Sequence, residues 1–133
     1  MKIFMRGEQR MLQQSHAVLP SPNVERTADY YANVLGFKVE KYLHSKEAHI
    51  CLYRDNTEII LTKANTLKVF PNRALYGYGY DLYIIADTQE DLQKEFLSKG
   101  AKIVRTLQET DYNNKEFVLE DIDGRWIGFG KKQ

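Results

Sequence analysis

One pattern occurs twice in the sequence, and it constrains the fold more than any other feature. A strand-like segment, a helix and a glycine follow each other from His16 to Gly36 and again from Tyr80 to Gly100, 20 positions each time. The two copies lie 64 positions apart, and strand-like segments follow both glycines. A repeated unit fixes the architecture of a chain. We therefore expect an α+β fold of two βαβββ modules; the alternative is an ordinary α+β sandwich in which the match is accidental.

The first copy marks both ends of its helix. Asn23 is a residue type that caps helix N-termini, and Gly36 suits the left-handed conformation in which helices end. Between them, an apolar face recurs at helical spacing and is formed by Val24, Ala28, Tyr31 and Leu35. Strands are expected afterwards over 37–44, 49–55 and 57–63.

The second copy repeats this order after a linker. Residues 65–78 have no clean period and contain Pro71, which predicts a connecting loop. Thr88 with Asp91 has the pattern of a capping box, which predicts the start of the second helix. Strands are expected over 80–87 before this helix and over 102–108, 116–122 and 125–130 after it.

Length and composition indicate a single domain. The chain has 133 residues, of which 43% are hydrophobic, enough for one core. Residues 1–13 are expected to form an N-terminal extension, and 14–130 a single domain. Within that domain, the modules are expected at about 14–64 and 79–130, joined by the linker at 65–78.

Charge and cysteine content limit the expected partners and compartment. Lysine and arginine number 19 against 18 acidic residues, and this net charge of +1 argues against a nucleic-acid partner, since affinity for phosphates needs clustered cations. The single cysteine, Cys51, excludes an intrachain disulfide and fits a reducing compartment. No segment of the sequence has the apolar length of a signal peptide or a membrane span. We therefore expect a cytoplasmic protein with no membrane partner.

Four short runs resemble a known superfamily. They are HAVL at 16–19, YY at 30–31, LGF at 35–37 and DIDGRW at 121–126, the last being similar to the family's Asp-Pro-x-Gly-Asn hairpin with Ile122 in place of proline. The family is the vicinal oxygen chelate superfamily of glyoxalase I, fosfomycin-resistance enzymes, extradiol dioxygenases and bleomycin-resistance proteins, and the last group is the most similar in pattern. The resemblance implies the glyoxalase/bleomycin resistance fold, in which two βαβββ modules form a cup-shaped curved mixed sheet, usually within a homodimer.

The resemblance also implies positions for a metal ion. Catalytic members hold a divalent cation with His, Gln and Glu side chains at the floor of the cup, and these ligand positions fall here on His16, Ile60, Tyr80 and Gly128. Ile60 and Gly128 offer no ligating side-chain atom, and Tyr80 ligates poorly because a phenol with a pKa near 10 stays protonated. We therefore expect no metal, no other cofactor and no catalytic residues.

Side-chain alternation along strands selects the residues that would face such a cup. The expected ligand-binding residues are His16, Glu58, Ile60, Tyr80, Leu82, Trp126 and Gly128. Ile84 is expected on the same side as Leu82. Tyr80 and Trp126 would anchor a planar ligand through their flat rings; the alternative is that both rings only fill the core.

Three functions remain open at this level. The first is that of a metal-free small-molecule binding protein of the glyoxalase/bleomycin resistance type, which sequesters an aromatic or amphipathic compound, antibiotics included, in an aromatic-lined cup of a homodimer. The second is a metal-dependent or atypical lyase or dioxygenase of the same superfamily. The third is a partner-binding domain. Saturable quenching of Trp126 fluorescence would favour the first function, and stoichiometric bound metal the second.

Overall fold

The computed structural model describes residues 11–133, so most of the expected N-terminal extension at 1–13 lies outside the described residues. The elements follow the predicted order, with one addition. They are β1 (Ala17–Ser21), α1 (Val24–Asn33), β2 (Lys38–Tyr42), β3 (His49–Arg54), β4 (Thr57–Lys63), α2 (Asn72–Tyr76), β5 (Leu82–Ile85), α3 (Gln89–Ser98), β6 (Lys102–Glu109), β7 (Asn114–Glu120) and β8 (Trp126–Lys132). Within this part of the chain, no helix is both long and apolar enough to cross a membrane.

The strands form two four-stranded mixed sheets with the same topology. The order is β1-β4-β3-β2 in the first sheet and β5-β8-β7-β6 in the second. In each, the edge strand that precedes the helix pairs in parallel with the last strand of its module, and the remaining pairs are antiparallel. The predicted α+β fold of two βαβββ modules is therefore confirmed. Between the described strands, no pairing joins one sheet to the other.

The local signals of the first module act as predicted. The side chain of Asn23 accepts a hydrogen bond of 3.0 Å from the backbone N–H of Arg26, which satisfies a donor at the start of α1. Gly36 has a φ of +75°. A Cβ there would lie only 2.8 Å from the guanidinium of Arg54. The positive φ therefore favours glycine at this junction, and a side chain there would also displace the guanidinium of Arg54.

Two local expectations for the rest of the chain were wrong. The capping box does not form, because Thr88 adopts a left-handed backbone (φ 46°, ψ 50°) and its side chain makes no capping bond; N-cap residues normally have an extended backbone. The linker is not only a loop, since it contains the five-residue helix α2. The N–H of Asn72 at the start of α2 bonds the Asp81 carboxylate over 2.9 Å. A helix this short cannot show a period in the sequence, because it makes little more than one turn.

A single buried cluster joins the two modules. It takes apolar side chains from the inner faces of both sheets and from α1 and α3, and its fully buried members include Tyr31, Leu35, Ile50, Leu52, Ile59, Leu61, Phe96, Phe117, Leu119 and Ile127. Because side chains alternate along a strand, each sheet has a second face that points away from this cluster. We call it the open face.

A buried ion pair holds the turn between β7 and β8 against α1. The carboxylate of Asp121 accepts hydrogen bonds from the guanidinium of Arg125 at 3.0 Å and from the hydroxyl of Tyr31 at 2.6 Å. Both charged side chains are almost fully buried. Arg125 also donates to the carbonyl of Pro20 at the end of β1. These contacts connect the modules through polar groups that are all paired.

Candidate ligand-binding site

The open face of the second sheet carries two tyrosines that lie over glycines. A Cβ on Gly128 would lie 2.8 Å from the ring of Tyr83 and 3.4 Å from that of Tyr80. A Cβ on Gly130 would overlap the Tyr83 hydroxyl. The rings of Tyr80 and Tyr83 stack with centroids 5.9 Å apart. Because Gly128 and Gly130 of β8 have no side chains, they leave the space in which this aromatic pair packs.

A buried carboxylate organises these rings. Glu116 on β7 is only 2% exposed although it lies on the open face, because tyrosines cover it. Its carboxylate accepts hydrogen bonds from the hydroxyls of Tyr80 at 2.5 Å and Tyr83 at 2.9 Å, and also from that of Tyr112 in the β6–β7 turn. The Tyr83 hydroxyl itself accepts from the side-chain amide of Asn114 at 3.0 Å. The network therefore satisfies the buried charge with neutral donors.

The same network keeps the phenols protonated. Burial and the neighbouring Glu116 raise the pKa of Tyr83 to about 12. Burial and a hydrogen bond to Glu116 also raise the pKa values of Tyr80 and Tyr112 above the ordinary value of 10.0. Near neutral pH these hydroxyls are therefore hydrogen-bond donors, not bases or nucleophiles.

Beside the stacked tyrosines lies a cavity of about 540 Å³. Its lining residues are Arg73, Gly77, Tyr78, Gly79, Tyr80, Arg105, Tyr112 and Trp126. Two guanidinium groups contact the indole of Trp126, with the Cζ of Arg73 at 4.5 Å and that of Arg105 at 5.3 Å from its ring centroid. The cavity therefore combines aromatic rings with positive charge.

The acidic group that binds the indole of Trp126 is held by cations. Glu120 accepts hydrogen bonds from the indole N–H of Trp126 at 3.1 Å, from Arg73 at 3.1 Å and from Lys102 at 3.0 Å. Burial acts to raise the pKa of Glu120, but the bonds from Lys102 and Trp126 and the charges of Lys102 and Arg73 outweigh it, and the pKa is lowered. Glu120 is therefore ionised and fixes Arg73 and Trp126 in place.

The predicted residues of the first sheet lie together on its open face. The Nδ1 atom of His16 is 3.2 Å from a carboxylate oxygen of Glu58, and Nε2 is 2.9 Å from the side-chain oxygen of Gln14. Ile60 on β4 is paired in register with Val18 on β1, and Val18 is 56% exposed. The structure thus divides the seven predicted residues between two sheets, three on the first and four on the second.

The predicted orientation of Leu82 and Ile84 was wrong. Leu82 pairs in register with Ile127, and both Leu82 and Ile84 pack against the buried cluster. Tyr83 takes the place expected for Leu82 on the open face. The cause is a bend before β5, where the carboxylate of Asp81 accepts the backbone N–H groups of Asn72 and Trp126. Strand alternation counted from Tyr80 therefore fails.

Sequence reasoning also missed several residues of the site: Arg73, Tyr83, Arg105, Tyr112 and Glu116. One signal could have found Tyr83, because glycines at alternate positions of β8 leave a groove that a neighbouring ring can fill. Arg73 gave no such signal, since it lies in the short helix α2 that was expected to be loop.

A second cavity, of about 390 Å³, lies between the modules beside Arg54 and Thr88. None of the seven predicted residues lines it. Of these two cavities, only the aromatic cavity on the second sheet is lined by residues predicted from the sequence, namely Tyr80 and Trp126.

Comparison with known proteins identifies the family. The model of the Glyoxalase/Bleomycin resistance protein/Dioxygenase superfamily matches residues 13–129. The chain belongs to this superfamily. A comparison with curated proteins returns no significant match.

Several solved structures share the fold of this chain. A glyoxalase-related enzyme from Clostridium phytofermentans superposes with a TM-score of 0.72 at 14% identity, covering 97% of this chain and 100% of that one. A superfamily member from Sphaerobacter thermophilus gives 0.69 at 16% identity, with 92% and 100% covered. TioX from Micromonospora sp. ML1 gives 0.67 at 16% identity, with 90% and 100% covered. At these identities the likeness shows the fold alone.

The residues of this superfamily member do not fit the metal site that catalytic relatives imply. Gly128 lacks a ligating atom, and the Tyr83 ring covers it. The phenol of Tyr80 is engaged by Glu116. His16 and Glu58 are adjacent, but across residues 11–133 no three His, Cys, Asp or Glu side chains are grouped so that they could hold a metal ion.

Proposed function

We propose that this protein binds a small aromatic or amphipathic compound, antibiotics included, in the cavity around Trp126, and that it sequesters the compound without a metal and without converting it. The observation that carries the proposal is the aromatic lining of that cavity. Its volume of about 540 Å³ lies in the range typical of small-molecule sites. Tyr78 and Tyr112 are 81% and 53% exposed, so their rings are available to a ligand.

The hydrogen bonding of the site supports binding over catalysis. A general base needs a free acceptor within reach of the substrate, whereas the buried carboxylate of Glu116 already accepts three phenolic hydrogens. Glu120 is likewise bonded to Arg73, Lys102 and Trp126. The two carboxylates therefore hold lining residues of the cavity in place, and a preorganised lining lowers the entropy cost of binding.

A second copy of the chain completes the site in this proposal. The open face of the first sheet presents His16, Glu58 and Ile60 beside the exposed side chain of Val18. Such a partly apolar face gains by association. A homodimer in which this face of one copy covers the aromatic cavity of the other would enclose a ligand from both sides.

Trp126 is the only tryptophan, so its fluorescence reports on this cavity. We expect naphthalene-2-carboxamide, a flat uncharged probe, to quench it saturably, with an affinity that EDTA does not change. Tyr80→Ala should weaken binding about tenfold, because it removes an aromatic contact. Tyr76→Ala is the matched control, since Tyr76 is exposed and lies outside the lining of the cavity.

Two results would contradict the proposal. One is an absence of saturable quenching by the probe at millimolar concentration. The other is a stoichiometric divalent metal in protein purified without chelator, together with turnover that EDTA abolishes. The second result would instead support the lyase or dioxygenase alternative.

A further inference from the structure

Arg105 lies at the aromatic cavity with its guanidinium against rings. Its Cζ is 5.3 Å from the ring centroid of Trp126 and 5.9 Å from that of Tyr80. One of its N–H groups donates to the Tyr80 hydroxyl over 3.1 Å. Among the residues that the structure describes, no carboxylate oxygen comes within 4.0 Å of this guanidinium. The charge of Arg105 therefore has no ionic partner in the described chain.

The acidic groups nearby are already engaged. Glu116 is 2% exposed and accepts from three tyrosine hydroxyls. Glu120 pairs with Arg73 and Lys102. Neither carboxylate can turn toward Arg105 without leaving buried or charged donors unpaired, which costs free energy. The uncompensated charge at the cavity is thus positive.

The guanidinium of Arg105 has the capacity to bind an acid. Arginine carries five N–H donors in a planar fork, and one of them is used on Tyr80. The remaining N–H donors can bind the two oxygens of a carboxylate, and the planar guanidinium also stacks on aromatic rings. Because Tyr80 and Trp126 flank Arg105, an acid bound there would place its own ring among the aromatic side chains of the cavity.

We infer that the ligand is a planar aromatic compound with an acidic substituent, and that Arg105 binds this substituent. The inference rests on the proposed function and narrows its ligand class. A cationic aromatic compound is disfavoured at this position, since it would meet the like charges of Arg73 and Arg105. Arg105 is therefore the residue that determines specificity between charged and uncharged ligands of the same shape.

The test compares two probes that share one ring system. At pH 7.5, naphthalene-2-carboxylate should quench Trp126 fluorescence with a dissociation constant about tenfold lower than that of naphthalene-2-carboxamide, because only the former can form an ion pair with Arg105 through two acceptor oxygens. Arg105→Gln should bring the two dissociation constants together. Lys68→Gln is the matched control, since Lys68 is also a cation over an aromatic ring, that of Phe70, but outside this cavity. It should leave the preference intact.

The outcomes separate this inference from the function on which it rests. Saturable binding of the carboxamide without any preference for the carboxylate would overturn the inference and leave the aromatic binding site standing. A preference that persists in Arg105→Gln would overturn it as well, since another cation would then be responsible. If neither probe binds, the inference and the proposed function both fail.

Discussion

At the scale of single residues, Glu116 is the point on which the aromatic side chains of the site converge. A buried carboxylate is costly unless hydrogen bonds replace its hydration, and here three phenols do so. Those bonds fix the positions of Tyr80, Tyr83 and Tyr112 relative to one another. Glu116 therefore acts as a positioning residue for tyrosines at the proposed binding site.

This arrangement predicts a loss of stability in alkaline solution. The pKa of Tyr83 is raised to about 12 from an ordinary 10.0, so between these values the unfolded chain has lost a proton that the folded protein keeps. The free energy of unfolding should therefore fall as pH rises from about 10 to about 12. Glu116→Gln removes one cause of the shift, although burial remains, and should make this fall less steep.

Urea unfolding between pH 9 and pH 11.5, with tyrosinate absorbance read in parallel, measures this effect. Glu109→Gln is a suitable control, because Glu109 is an exposed carboxylate on the neighbouring strand β6. Its profile should match that of the wild type. Identical slopes for Glu116→Gln and the wild type would show that Glu116 does not control the tyrosines.

At the scale of elements, the β7–β8 hairpin both carries the site and joins the modules. Its turn holds the pair of Asp121 and Arg125, with side chains 0% and 1% exposed. Tyr31 of α1 also donates to Asp121, and Arg125 also donates to the carbonyl of Pro20 and to Asp123. Disruption of the buried pair in this turn would therefore affect both the buried cluster and Trp126, the first residue of β8.

Asp121→Ala should destabilise the protein by about 3–5 kcal/mol, since it leaves a buried guanidinium without its main partner. Asp87→Ala offers a matched control. Asp87 also pairs with a cation, Lys131 at 3.0 Å, but it is 83% exposed, and such surface pairs contribute less than about 1 kcal/mol. Urea denaturation compares the two variants. Equal losses would mean that the buried pair does not hold the hairpin.

The elements also show what could be predicted from sequence and what could not. The ends of the first helix region could be predicted from Asn23 and Gly36, because helix capping and the left-handed backbone conformation depend on local chemistry. The face of β5 could not be deduced, because the bend at Asp81 depends on bonds to Asn72 and Trp126, the second of which is 45 positions away. Tyr80 was thus assigned correctly to the open face, while Leu82 was not.

At the scale of the whole molecule, the seven predicted residues lie on two sheets that are not hydrogen-bonded to each other among the described strands. The duplicated module was predictable, because the same spacing from strand to helix-ending glycine occurs twice in the sequence. Whether the two open faces contact each other was not predictable, since that depends on contacts between modules or between copies. The proposed homodimer gives this question a direct test.

Two variants with substitutions on different sheets should restore ligand binding to one another when they form a mixed dimer. Ile60→Asp disrupts the first-sheet half, because it places a charge of the same sign as that of the probe on this face, and Tyr80→Ala disrupts the second. Each variant alone should bind naphthalene-2-carboxylate weakly. After co-refolding in equal amounts, half of the dimers should be mixed, each with one intact site, so about one quarter of the wild-type capacity returns. Isothermal titration calorimetry counts the sites. No recovery despite mixed dimers would place the whole site within one chain.

The Tyr83 ring over Gly128 and Gly130 has a consequence for how this lineage can change. The superfamily resemblance assigns a glutamate ligand to position 128, yet any side chain introduced there would collide with that ring. A glutamate at position 128 would first require a small residue at position 83, and that change would also release Glu116 from one of its donors. The substitutions at positions 83 and 128 are therefore coupled, and the order in which they can occur is constrained.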